Sequence, residues 1–472
     1  MNLLGKTITQ LKLLLEKKEV SAEELFSYFS KRTESFDSEL NCYLTTVPFE
    51  KNESEGLLTG IPLAVKDNFC TNGVRTTASA KVLDQFVPPY DATVISKLKS
   101  AGAHILGKTN MDAWAHGSST ETSDYGPTHN PWDTTRAPGG SSGGSAAAVS
   151  AYLSPAAIGS ETAGSIRQPA SWTGVVGLKP TYGRVSRYGV IAMGSSLDCP
   201  GPLTLNTEDS ALILQVLAGK DPQDATSSEV PVDNYIQAMK QPRKMVIGVA
   251  DEYFEGIDEG VKERIMSALK VFESQGHTIK KVKLISPKYA ISVYTILQRA
   301  EVSSNLARYD GIRYGNDRTF FGTEAKRRTM LGTYTLSYGY YDAFYKKAQK
   351  VRTMIIEDFK RVFQEVDVIA APTTPITALK LGEFEKYPFF GEMMDVLNEP
   401  GAVSGIPAIN VPCGFDTNNL PVGLQFMGNY FEEGTLLNLS YQFEKETEFF
   451  GVIKEGLARY SNRHPREGGD PV

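Results

Sequence analysis

Residues 139–167 read Gly139-Gly-Ser-Ser-Gly-Gly-Ser-Ala-Ala-Ala-Val-Ser-Ala-Tyr-Leu-Ser-Pro-Ala-Ala-Ile-Gly-Ser-Glu-Thr-Ala-Gly-Ser-Ile-Arg167. Six glycines fall in two clusters, with Ser141, Ser142, Ser145, Ser160 and Ser165 among them. Glycine lets backbone approach a ligand closely and take angles other residues avoid. A hydroxyl beside such backbone can attack a carbonyl while neighbouring N–H groups hold the oxyanion. The stretch therefore reads as the nucleophile region of an amide hydrolase. Its first half predicts a helix of very small residues over Ser142–Ala151, and its second a strand over Ala156–Ser160.

The surrounding pattern alternates helices and strands. Thr7-Ile-Thr-Gln and Ser21-Ala-Glu-Glu24 open two amphipathic helices, 7–18 and 22–34, the second with a capping box. Gly60–Lys66 is an apolar run ending in a charge, which suits a buried strand. Asp91 is expected to cap a helix to Ser100, with Gly102 stopping it and 103–106 forming the next strand. Further strands are expected at 175–179, 244–249, 366–371 and 408–412, and helices at 166–170, 208–217 and 261–275. Residues 290–365 are expected to be mostly helical. Such alternation implies an α/β layered fold.

Composition narrows the function classes. The chain has 472 residues, 41% hydrophobic and 22% charged, with a formal charge of −6. That balance suits a soluble globular protein and carries no general basic footprint, so nucleic acid would be met locally or through a partner. Cys42, Cys70, Cys199 and Cys413 are widely spaced, which indicates buried thiols of a reducing cytosol rather than a zinc site or disulfides. No signal-peptide pattern or membrane-length apolar run is apparent, so a cytoplasmic location is expected.

Two motifs mislead. Gly102-Ala-His-Ile-Leu-Gly-Lys-Thr109 matches a phosphate loop, but the helix precedes and an apolar strand occupies the loop, the reverse of the required order. Gly140-Ser-Ser-Gly-Gly144 matches a nucleophile elbow, which needs a downstream histidine. Of the five histidines, His104, His116 and His129 precede it and His464 lies in the polar tail, leaving only His277. A different base is then needed. Lys66, at the end of its apolar strand, loses charge preference if desolvated; it is equally readable as a strand-end lysine paired with a carboxylate.

Residues 139–145, 159–170 and Ala64-Val-Lys-Asp67 together resemble the amidase signature family. So do Gly107–Asp112, Gly117–Glu121, Gly126–Trp132, Gly177–Ser186, Lys326–Gly332, Tyr340–Arg352, Ala371–Pro375 and Asn410–Gly414. The resemblance covers nearly everything but the tail. It implies a central mixed β-sheet covered by helices on both faces. It implies one domain over 1–460, with a catalytic core at about 60–205, a helical substrate-side region at about 290–365 and a disordered tail at 461–472. It also implies a Ser-cis-Ser-Lys triad: Ser165 as nucleophile, Ser141 as the bridging serine after a cis Gly140–Ser141 peptide, and Lys66 as base. Thr162, Ala163, Gly164 and Ser165 would supply oxyanion N–H groups. Ser142 and Ser145 are left to capping and packing.

Within the family the fit is best to glutaminase subunits of tRNA-dependent amidotransferases. There Arg328 would take a substrate α-carboxylate and Asp395 the α-ammonium. Glutamine would be the substrate and no metal would be held. The amidotransferase subunits B and C would complete a heterotrimer. Charged tRNA would sit mainly on the B member of that assembly, and ATP and Mg2+ would be used there. Glu-tRNA(Gln), or Asp-tRNA(Asn), would receive the ammonia. The alternative is a free-standing amidase, which needs no amino-acid clamp; a non-catalytic binding protein and a His277-dependent hydrolase are further rivals. Departures from the family pattern are Glu161 and Ala163 where Asp and Gly are usual, Ala113-Trp-Ala-His116 where Glu-Phe-Ala-Met is common, and a shorter 315–322 segment.

Overall fold

The computed structural model describes residues 3–312, 315–387 and 393–447, so the expected tail at 461–472 lies outside them. Its frame is an 11-stranded mixed sheet. The strands are β1 (Tyr43–Thr46), β2 (Pro62–Lys66), β3 (His104–Thr109), β4 (Ala156–Glu161), β5 (Val176–Lys179), β6 (Cys199–Thr204), β7 (Val246–Ala250), β8 (Thr278–Val282), β9 (Val368–Pro372), β10 (Ala408–Phe415) and β11 (Pro421–Gly428). Their order is β1-β3-β2-β4-β6-β5-β10-β11-β9-β7-β8. β2 runs parallel to β3 and β4, and β7 parallel to β8 and β9, whereas the centre from β4 through β6, β5 and β10 to β11 is antiparallel.

Successive side chains of a strand face opposite sides of the sheet. Along β9, Val368 and Ala370 enter one apolar cluster while Ile369 and Ala371 enter the other. On β11, Leu424 and Phe426 go one way and Met427 the other. The first cluster is completed by α1 (Ile8–Glu16), α2 (Ala22–Leu40), α3 (Thr93–Ser100), α4 (Gly143–Ser150), α5 (Arg167–Thr173), α6 (Thr207–Leu217), α7 (Tyr235–Met239), α8 (Glu259–Ser274) and, later in the chain, Glu433–Thr447. The second is completed by α9 (Lys288–Leu306), α10 (Thr323–Leu336), α11 (Lys347–Val362) and α12 (Glu399–Ser404), with Glu433–Thr447 then being α13. Helices thus cover both faces, as expected.

The capping boxes of Thr7 with Gln10 and Ser21 with Glu24 both form, and α2 continues to Leu40, past the expected stop at residue 34. Asp91 does not cap α3. The cap position is Ala92, while the Asp91 carboxylate accepts from Asn72 N–H and pairs with Lys99. The sequence pattern hides β6, because Pro200 and Pro202 lack N–H groups and read as loop. Yet its ladder with β4 runs from Ala156↔Thr204 to Glu161↔Cys199. β1, β11 and α13 are also absent from the sequence-based expectation, and between α9 and α10 the described residues 307–312 and 315–322 hold only a 3-10 turn at Arg318–Phe320.

The phosphate-loop match is buried strand. Lys108 lies in β3, where its Nζ donates to Phe69 O at 2.6 Å and to Thr76 Oγ1 at 2.8 Å. Among the described residues no helix is long and apolar enough to cross a membrane, and no group of three or more His, Cys, Asp or Glu is placed to hold a metal. All four cysteines are free thiols.

Candidate active site

The parallel strands β2 and β4 run side by side with Val65 level with Ile158, and β4 continues past the end of β2 to Glu161. This brings Lys66, the last residue of β2, next to the Ser160–Glu161 end of β4. The α4 helix packs across both strands, and all eight of its residues are buried. Only small residues fit there: a Cβ on Gly144 would stand 2.4 Å from Asn110 O. The loop before α4 delivers Ser141 to the same point, and the Gly140–Ser141 peptide is cis.

Lys66 Nζ donates to Ser141 Oγ at 2.8 Å and to Ser160 O at 2.9 Å. The lysine is fully buried, and desolvation lowers its pKa to about 7 against the opposing carboxylates of Asp112, Asp198 and Glu161. A substantial neutral fraction therefore exists near neutrality, which a base requires. Ser165 is buried behind Ser141, and its carbonyl accepts from Ser142 N–H at 3.2 Å. Among the described residues no hydrogen bond joins the Ser141 and Ser165 hydroxyls, so the Lys66–Ser141 link is formed and the Ser141–Ser165 link is not. Ser142 stands at the cap position of α4 but does not cap it; its hydroxyl donates to Ser160 O at 3.1 Å. Ser145 bonds Thr109 within the packing.

The loop 161–167 is cinched by Glu161. Its Oε2 accepts from Ile166 and Arg167 N–H at 3.1 and 3.2 Å, and its Oε1 pairs with the Arg167 guanidinium. Both side chains are fully buried. Arg167 also donates to Ala163 O and to Gln425 Oε1. This leaves the N–H groups of Thr162, Ala163, Gly164 and Ser165 without a protein acceptor among the described residues. Thr162 is oriented by its hydroxyl, which donates to Asp198 Oδ1 at 2.7 Å. Burial raises the Asp198 pKa to about 6.

Asp112 and Gln168, not singled out from sequence, shape the serine loop. Gly140 N–H donates to Gln168 Oε1 at 2.8 Å, and a Cβ on Gly140 would stand 2.1 Å from Asp112 Oδ2. Asp112 in turn accepts from Ser119 N–H and from both N–H and hydroxyl of Thr122. The only advance sign of Asp112 is its place in the Gly107–Asp112 motif.

Asp395 lies against the 161–167 loop at Gly164. It is buried, accepts from Ser118 Oγ at 2.7 Å, and its Oδ1 occupies the space a Gly164 side chain would need. Ser118 lines a cavity of about 730 Å3 whose opposite wall is α10, with Glu324, Arg327 and Arg328. Arg328 is buried, and its Nε donates to Glu324 Oε1 at 2.5 Å. A separate cleft of about 520 Å3, at the His104 end of β3, touches none of these residues.

His277 is remote from this chemistry: its Nδ1 accepts from Met245 N–H at 3.2 Å and its ring packs on Phe272. His104 packs between Phe26 and Phe49.

The amidase family model matches residues 24–437. The A subunit of the glutamyl-tRNA(Gln) amidotransferase of Halothermothrix orenii is 52% identical, over 94% of this chain and 98% of the relative. The corresponding A subunit of Geobacillus kaustophilus is 47% identical over 95% and 99%. The crystal structure of the same subunit from Thermotoga maritima superposes with a TM-score of 0.84 at 42% identity, covering 94% of this chain and 96% of that one. The chain belongs to the amidase signature family.

Proposed function

We propose that this chain is the glutaminase component of a tRNA-dependent amidotransferase. Neutral Lys66 takes a proton from Ser141 as Ser141 takes one from Ser165. Ser165 Oγ attacks the side-chain amide carbon of glutamine, and the oxyanion is held by the free N–H groups of 162–165. One such donor is worth about 3 kcal/mol in comparable sites. The C–N bond breaks, and ammonia leaves with the proton returned through Ser141. Water then cleaves the γ-glutamyl ester by the same relay, releasing glutamate and restoring Ser165.

The observation that carries the reading is Asp395, a buried carboxylate set against Gly164 beside the nucleophile. Together with Arg328, which lines the same cavity as Asp395's partner Ser118, it would supply a two-signed clamp suited to a free α-amino acid, which a general amidase has no need of. The name borne by the relatives supports the rest of the assignment. The amidotransferase subunits B and C are the partners in a heterotrimer. Charged tRNA is held mainly by the B member, and ATP with Mg2+ is used there to activate Glu-tRNA(Gln). Asp-tRNA(Asn) is the other acceptor to try.

The test is co-expression with both partner subunits and an assay of glutamine-dependent amidation. Ser165→Ala should abolish glutamine hydrolysis yet leave amidation driven by added ammonia. Normal hydrolysis by that variant would overturn the assignment of Ser165, and a wild-type chain active on simple amides but not on glutamine would indicate a free-standing amidase.

A further inference from the structure

The 730 Å3 cavity holds two buried polar groups that the triad and the clamp leave unused. His116 is 1% exposed, and neither ring nitrogen has a hydrogen-bond partner among the described residues. The indole N–H of Trp114, 3% exposed, has none either. Both line the cavity together with Arg328. Leaving such groups unpaired in an apolar setting is costly, so their retention calls for a ligand or a function.

The acids of the same wall are engaged. Glu324 pairs with Arg327 and Arg328, Asp124 Oδ2 accepts from Lys81 N–H at 2.8 Å, and Glu121 Oε1 accepts from Gly382 N–H at 2.5 Å. Beside the Arg328 guanidinium the cavity presents the indole N–H and one imidazole N–H, and what complements these donors is an anion with several lone pairs. Trp114 and Ala115 both have positive φ, and the Trp114 ring is held by packing on Tyr309 and Phe321. Burial and the nearby Arg328 and Arg299 keep the imidazole neutral, with one N–H to give.

Resting on the glutaminase reading, we propose that His116 and the Trp114 N–H complete the substrate α-carboxylate site opposite Arg328, which makes His116 a specificity-determining residue. The segment 117–119 that follows reaches Asp395 through Ser118 and Asp112 through Ser119, so the carboxylate site is tied to both catalytic loops.

The test uses the co-purified complex. Kinetics are measured for glutamine and for 4-aminobutanamide, which keeps the amide and the ammonium but lacks the carboxylate. His116→Met should raise KM for glutamine about tenfold with kcat within about twofold, and lower the preference for glutamine over 4-aminobutanamide to match. His116→Asn, which keeps an N–H donor, should recover most of that loss. Trp114→Phe keeps the ring packing and removes only the donor, so it should lower the same preference even if His116→Met folds poorly. An unchanged preference in both variants, or an equal loss of kcat with both substrates, overturns the proposal. A wild-type complex that does not hydrolyse glutamine would instead sink the glutaminase reading, and is recognised before any variant is made.

Discussion

The Asp395 carboxylate stands where a side chain of Gly164 would begin: a Cβ there would lie 2.1 Å from Asp395 Oδ1 and 2.8 Å from Asn398 Nδ2. The residue before the candidate nucleophile is thus in contact with the candidate ammonium anchor, and the two cannot move independently. Gly164→Ala should destabilise the fold by about 1–3 kcal/mol through overpacking and remove nearly all glutaminase activity. Asp395→Ala should restore most of the stability in the double variant, but not the activity. Thermal denaturation and glutamine turnover of the two single variants and the double variant measure this coupling, and strictly additive stability losses would rule it out.

The position of Lys66 predicts the pH profile. In the proposed role Lys66 acts as the neutral amine, so kcat/KM for glutamine should climb with pH up to about 7 and level off above it. The Asp198 carboxylate opposes the lowering of that pKa, so Asp198→Asn should move the limb to lower pH. Lys66→Arg should be inactive throughout, because a guanidinium stays charged. A profile flat from about pH 5.5 to about pH 8.5 would exclude Lys66 as the titrating base.

Breaking the buried Glu161–Arg167 pair should be costly. Glu161→Gln keeps the size and removes the charge, leaving the fully buried guanidinium uncompensated. A loss of about 3–5 kcal/mol in urea unfolding is expected. Turnover should fall as well, because the same carboxylate holds the Ile166–Arg167 end of the loop proposed to bind the oxyanion. Unchanged turnover in the folded variant would show that the loop keeps its shape without this anchor.

Arg328→Lys tests the clamp. Lysine keeps the charge but loses the planar fork that meets a carboxylate with two parallel bonds. KM for glutamine should rise about tenfold or more, with kcat changed far less. A drop in kcat at constant KM would assign Arg328 to the chemistry rather than to binding.

Much of the site was legible in the sequence because its chemistry is written in contiguous motifs. Gly139–Ser145 and Gly159–Arg167 declare themselves by glycine next to serine, and Lys66 by a charge ending an apolar strand. The absence of a suitably placed histidine pointed away from the common triad, and His277 indeed lies elsewhere. The Ser21–Glu24 capping box and most strands could be read from local sequence patterns, whereas the Thr7–Gln10 box was seen only in the structure. β6 could not, since Pro200 and Pro202 mimic a loop and only the ladder from β4 makes it a strand. Asp91 carried a cap signal that a nearer partner, Lys99, outcompeted.

What the sequence by itself determined, then, is which residue types are available and which local elements carry them. What only the tertiary structure decided is their meeting. Lys66 and Ser141 are 75 positions apart and share a hydrogen bond because parallel β2 and β4 lie side by side under α4. Asp395 reaches Gly164, and Ser118 reaches Asp395 across 277 positions, because the sheet folds the end of the chain back over its beginning. The lowered Lys66 pKa belongs to that level too, since desolvation is a property of the packed interior and not of the residue.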